Sequence, residues 1–258
     1  MPTPEALREE WLAEEQAAFQ GWDFSHLDGR MKEEDLPWDY REIIRRHLRP
    51  EYRLLDMGTG GGEFLLSLKH PYQNTYVTEA YPPNVRLCTE QLAPLGITVR
   101  QIHDDSAIPY SDEEFDIVLN RHGAFDAREV FRVLSPNGLF ITQQVGGENN
   151  RALSELLISG YMPQFTLHNL AETQSLVRDA GFVVVQCGES YPKLLFSDIG
   201  AIVYFAKIIE WEFPGFSVQR CFNALMGLQK TIEEQAYVES REHRFFLVCK
   251  KKARLRLA

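Results

Sequence analysis

From Tyr52 onward, short apolar runs alternate with longer amphipathic ones, and that rhythm constrains the fold more than any single residue. "RLLDM", "TYVTEA", "ITVRQIHDD", "FDIVLNRH", "GLFITQQV", "FVVVQCGE" and "HRFFLVCKK" read as seven strands. Between them, "GEFLLSLKH", "PPNVRLCTEQLAPLG", "DAREVFRVLSPNG" and "AETQSLVRDAGF" read as helices. Such alternation calls for an α/β fold with a seven-stranded, mostly parallel sheet covered by helices on both faces. Right-handed crossovers then bring the turn after each strand to one edge of the sheet, where ligands collect.

The rest of the 258 residues attaches to this core. Residues 1–50 form an N-terminal helical and aromatic extension. In it, Leu7, Trp11, Leu12 and Phe19 recur at helical spacing over Glu5–Phe19, and "DYREIIRRHL" makes a second helix. Residues 51–190 hold the core. Residues 191–241 are an aromatic-rich insertion, mostly helical with a break at Pro214-Gly215, long enough to act as a substrate cap. Residues 242–258 supply the last strand and a basic tail, "KKKARLR", which reads as solvated.

The formal net charge is -10, which repels polyanions and argues against a nucleic-acid partner. Cys88, Cys187, Cys221 and Cys249 are scattered, so they suggest neither a zinc site nor a disulfide framework. No apolar run reaches the roughly 20 residues needed to cross a bilayer, and the acidic N-terminus does not resemble a secretory signal. These features lead us to expect a cytoplasmic protein that does not enter membranes.

The most specific local feature is "LLDMGTGGGEFLLSL", in which four glycines lie between a strand and a helix. Glycine is costly to order and is kept where a side chain would obstruct something. The opening of the helix supplies unpaired N–H groups suited to an anionic group. A nucleotide P-loop needs Lys-Ser/Thr after the last glycine, but Glu63-Phe64 stands there. A G-x-G-x-x-G fingerprint fits Gly58 and Gly60 and fails at Glu63. The pattern present is D-x-G-x-G-x-G, formed by Asp56, Gly58, Gly60 and Gly62.

That pattern resembles the first motif of the class I, Rossmann-like S-adenosylmethionine-dependent methyltransferases, and of their type 11 members in particular. Three further stretches agree in order and interval. Glu79 ends the second strand, where the family keeps an acid. "DDSAIPYSDEEFDIVLNRHG" and "EVFRVLSPNGLFITQQV" are similar to later family segments. The resemblance implies S-adenosylmethionine as cofactor. Thr59 and the Gly58–Gly62 backbone would lie along its amino-acid end, and Asp56 would pair with the ammonium or hold the loop. Glu79 would hold the ribose hydroxyls, with Ala80 beside it. Asp105 would accept from the adenine amino group, the Ser106 N–H would meet the ring, and Asn120 would lie near the methionine portion.

Methyl transfer is an in-line displacement on an already activated methyl, so positioning supplies much of the rate, and a base helps only if the acceptor keeps its proton. His122 is the candidate base; the alternative is a histidine hydrogen-bonded in the turn before a helix. Arg121 either binds an acidic substrate or pairs with Asp126. Trp38, Tyr40, Gln144 and Tyr191 are candidate substrate contacts, and strand alternation turns Gln143 and Gln144 to opposite sides. His103, Asp104 and Asp105 are neighbours on a strand end and diverge, so no metal is expected. The expected function is methylation of a small molecule. The alternatives are an RNA base methyltransferase and a non-catalytic protein that binds S-adenosylmethionine.

Overall fold

The computed structural model describes residues 2–19 and 24–252. In chain order, α1 (Pro4–Gln16), β1 (Met31–Glu33), α2 (Tyr40–Arg45), β2 (Leu54–Met57) and α3 (Glu63–Ser67) come first. Next are β3 (Thr75–Glu79), α4 (Pro82–Gln91), β4 (Thr98–Gln101), β5 (Phe115–Arg121), α5 (Ala127–Val133) and β6 (Leu134–Val145). The remainder comprises α6 (Arg151–Leu157), α7 (Leu170–Asp179), β7 (Phe182–Ser190), β8 (Lys193–Phe196), α8 (Ile199–Ile208), α9 (Val218–Gln235), β9 (Val238–Arg241) and β10 (Arg244–Lys251). The chain divides into two compact units. One gathers Pro37–Val145, His168–Glu189 and Phe245–Ala258, and the other Met1–Leu36, Gly146–Leu167 and Ser190–Arg244.

The first unit is built on a seven-stranded sheet of order β4-β3-β2-β5-β6-β10-β7. Strands β2, β3, β4, β5 and β6 pair in parallel. The inner strands β2, β5 and β10 are buried on both sides because both faces are covered, while the edge strand β4 is largely exposed. Leu55, Met57, Val118, Phe140 and Leu247 pack into one apolar cluster, and Leu54, Ile117, Leu119, Ile141 and Phe246 into another. All seven strands read from the sequence are present.

The helices are shorter than their sequence patterns. The expected helix over 126–138 stops at Val133, and Leu134 already belongs to β6. Leu134 is extended (φ -76°, ψ 138°) and pairs with Phe115 across an irregularity in the ladder. Pro136, two residues on, lacks the N–H that a continuing helix needs.

The second unit has its own core. Strands β1, β8 and β9 form a three-stranded antiparallel sheet. Trp11, Leu157, Phe196, Ile202, Tyr204, Phe213 and Leu225 are buried together. Arg30 donates to Asp198 at 2.6 Å and pairs with Glu14 at 2.8 Å, tying the loop before β1 to α1 and to the start of α8. The segment read as one insertion, 191–241, thus shares this unit with the first 36 residues and with 146–167, while Trp38 and Tyr40 belong to the sheet unit. The basic tail beyond Lys252 lies outside the described residues.

Candidate active site

The glycine turn follows β2 directly. Gly58, Gly60 and Gly62 adopt φ of +68°, +65° and +87°, a region costly to residues with a Cβ. A Cβ on Gly58 or Gly60 would meet nothing within 4 Å, so these two line open space. A Cβ on Gly62 would come within 2.8 Å of the Leu92 side chain. Two glycines therefore keep the turn bare, and the third lets α3 pack.

Two carboxylates flank the turn from neighbouring strands. Glu79 is buried at the end of β3. Its Oε2 accepts from the Gly60 N–H at 2.9 Å, and its Oε1 accepts from the N–H groups of Ala80 (2.9 Å) and Tyr81 (3.0 Å). Glu79 thereby holds the loop and the approach to α4. Asp56 is buried, and its pKa is pushed up to about 6, foremost by burial and further by the charge of Glu79. The Thr59 hydroxyl and the Arg121 charge oppose the rise. The Arg121 guanidinium lies 4.4 Å from the centre of the Phe64 ring. The Asp126 carboxylate instead caps α5, accepting from the Arg128 and Glu129 N–H groups. Cys88, which sequence reasoning did not assign to the site, donates its thiol to the Gly60 carbonyl at 2.8 Å. Burial and the charges of Glu79 and Asp56 push that thiol up to about 11, so it remains a donor.

Two buried acids beside one arginine leave a region suited to a cation, and the bare turn leaves room for it. That is the chemistry of an ammonium-bearing sulfonium nucleoside, so the residues present fit S-adenosylmethionine. Asp105 and Ser106 follow β4 on the same edge. Burial and the charges of Asp104 and Asp126 raise the Asp105 pKa, and the Ser106 N–H donates to Asp104 Oδ1 at 2.8 Å.

Asn120, next to last in β5, lies inside a closed polar network. Its Oδ1 accepts from Gln144 Nε2 at 2.6 Å and from the Thr142 hydroxyl at 3.2 Å. Gln144 Nε2 also donates to Thr142 and to the Gly123 carbonyl. Gln144 is thus tied to Asn120, whereas Gln143, on the other side of the strand, meets Trp38 and His122. Sequence alternation separated the two glutamines but did not tell which met the candidate base.

Tyr40 is buried and stacks on Phe64. Its hydroxyl lies 3.1 Å from the Asn120 carbonyl and 2.9 Å from that of Ile141. Burial, and then the charge of Asp56, raise its pKa. Tyr191 belongs to the second unit, where it stacks on His243 at 4.5 Å. Among the described residues no group of three His, Cys, Asp or Glu side chains gathers as metal ligands would, and no helix is long and apolar enough to cross a membrane.

Residues 55–142 match the model of a family described as a methyltransferase domain. A curated relative, demethylmenaquinone methyltransferase of Thermus thermophilus, is 29% identical over 117 residues, covering 42% of this chain and 53% of the relative. The match therefore spans about half the length of that relative. Among solved structures, the YcgJ protein of Bacillus subtilis superimposes with a TM-score of 0.56 at 18% identity, over 83% of this chain and 98% of that one. Phosphoethanolamine N-methyltransferase 2 of Haemonchus contortus, solved with S-adenosyl-L-methionine, gives a TM-score of 0.52 at 14% identity, over 97% of this chain and 58% of that one. At such identities these structures establish the likeness of fold.

Proposed function

We propose, from the premise that the domain at residues 55–142 makes this chain a class I S-adenosylmethionine-dependent methyltransferase, that it transfers a methyl group to a small-molecule acceptor. The observation that carries the reading is the pair of buried carboxylates, Asp56 and Glu79, beside a turn whose glycines line open space. Asp56 would hold the ammonium of the cofactor, Glu79 the ribose hydroxyls, and the bare backbone at Gly58 and Gly60 the amino-acid end. Asp105 and Ser106 would take the adenine. The cofactor supplies an activated methyl on a sulfonium.

The chain's own part is to bind, orient and exclude water. Arg121 keeps Asp56 more acidic than burial alone would, so that it meets a cation as a carboxylate. The Asn120–Thr142–Gln144 network fixes the end of β5. Acceptor choice is assigned to the unit of residues 1–36, 146–167 and 190–244, which lies outside the matched domain at residues 55–142, and the net charge disfavours polyanionic acceptors. The small-molecule reading also draws on that relative, whose name denotes a demethylmenaquinone substrate.

Calorimetry with S-adenosylmethionine, followed by release of S-adenosylhomocysteine with pooled metabolites, tests the proposal. Binding with release is expected from a metabolite pool. Release only from RNA, with steeply salt-dependent binding, would establish the RNA alternative. Binding without release from any pool would leave a non-catalytic binding protein.

A further inference from the structure

Gln143 is fixed by a partner that can only donate. The Trp38 Nε1–H donates to Gln143 Oε1 at 2.9 Å, and an indole nitrogen offers no lone pair in exchange. The amide oxygen, not its nitrogen, must face the indole. The amide NH2 therefore points away from Trp38, and Nε2 lies 3.1 Å from Nε2 of His122. An amide NH2 cannot accept, so His122 Nε2 must, which leaves the ring proton on Nδ1. The two residues are tied again through the backbone, the His122 N–H donating to the Gln143 carbonyl at 2.8 Å. His122 itself sits at φ +59°, a conformation that persists where the surroundings hold it.

We propose that Gln143 is a positioning residue, oriented by Trp38, that holds His122 as the Nδ1–H tautomer, and that His122 is not the base in methyl transfer. This rests on the methyltransferase reading of the site. A general base needs an available lone pair. That of Nε2 already accepts from Gln143, and Nδ1 carries the proton. The acceptor's nucleophilic atom is therefore not deprotonated by His122.

The test uses the full chain labelled with 15N-histidine. Long-range 15N–1H correlation is expected to show His122 with a protonated Nδ1 and an unprotonated Nε2. In Gln143→Glu one carboxylate oxygen still accepts from Trp38 and the other now accepts from His122, so Nε2 should become the protonated nitrogen. Trp38→Phe removes the donor that orients the amide and should give a mixture of the two forms. A protonated Nε2 in the wild type, or the same pattern in both variants, overturns the tautomer assignment.

The exclusion of a base role is read separately. His122→Asn cannot act as a base and tolerates the left-handed backbone, so turnover within about tenfold of wild type is expected. A loss of about 100-fold or more, as when a general base is removed, overturns it. The expected nitrogen pattern together with no S-adenosylhomocysteine release from any acceptor would sink the methyl-transfer reading and leave the tautomer assignment standing.

Discussion

Replacing Asp56 by Asn should stabilise the ligand-free protein at neutral and alkaline pH while weakening its hold on the cofactor. The magnitude follows from burial. The carboxyl moves from an ordinary 3.8 to about 6 in the fold. A group whose folded pKa is raised favours the protonated form. Its contribution to stability is intact below the unfolded pKa and is lost as pH rises through the folded one. A difference of about two pH units makes that loss about 3 kcal/mol at pH 7 to 8, about half as much near pH 5, and close to nothing below pH 4. Asn, of similar size and uncharged, escapes the loss. Urea denaturation of both proteins from pH 4 to 8 should therefore show a stability gap in favour of Asp56→Asn that opens with rising pH. Taking the difference between the two proteins cancels other titrating groups. Calorimetry should show the wild type losing affinity for S-adenosylmethionine as pH falls through about 6, where the proposed partner of the ammonium becomes neutral, and Asp56→Asn staying weak and nearly flat. A variant less stable than wild type at pH 8, or a gap that does not change with pH, would refute the argument that desolvation raises this acid.

Four further outcomes can be checked. Gly62→Ala meets both a left-handed backbone and the Leu92 side chain, so its unfolding free energy should drop by about 2 kcal/mol or more, and Gly60→Ala, with room for its methyl, by about 1–2 kcal/mol. Glu79→Ala should weaken cofactor binding and, in the ligand-free state, increase hydrogen exchange at Gly60, Ala80 and Tyr81; unaltered exchange would count against its role in holding the loop. In the second unit, burial pushes Glu242 up to about 7, so Glu242→Gln should raise the denaturation midpoint at pH 8 and leave it unchanged at pH 4. Exchanging residues 191–241 for the matching segment of a related enzyme should change acceptor range while cofactor affinity stays within a few-fold, as read by competition among pooled acceptors.

The inner strands of the sheet were legible because they are buried on both faces, and unbroken apolar runs such as those around Leu54 and Val118 leave few alternatives. The two acids beside the glycine turn were legible as charges closing apolar runs, Glu79 as the last residue of β3 and Asp56 as the next to last of β2. The small sheet of β1, β8 and β9 was not. Its strands are three or four residues long, and Met31–Glu33 lies in a charged stretch with no period of its own. The pairing joins residues as far apart as Lys32 and Leu195, so only the folded chain reveals it. Trp38 and Gln143 meet for a similarly long-range reason. Strand alternation separated Gln143 from Gln144, but which of them faced His122 depended on where the segment before α2 crosses the sheet. Cys88 carried no motif, since its role is a contact made by a helix face with the Gly60 carbonyl.

Glu79 shows how closely the loop and the ligand must be coupled. A carboxylate has about four acceptor positions, and here three backbone N–H groups occupy three of them. Two ribose hydroxyls need two, so a diol cannot be held at Glu79 without giving up at least one backbone bond. Oε1 carries two of these bonds, both from the residues that lead into α4, and Oε2 carries only the bond from Gly60. The Gly60 bond is the one whose loss leaves the start of α4 undisturbed. Releasing it frees a backbone donor in the turn that the glycines keep bare. The acid that stiffens the loop would thus hand an N–H to the anionic end of the ligand when it takes the sugar. On this account Glu79→Gln should cost more affinity than the loss of one hydroxyl contact alone, because an amide nitrogen cannot accept on both sides.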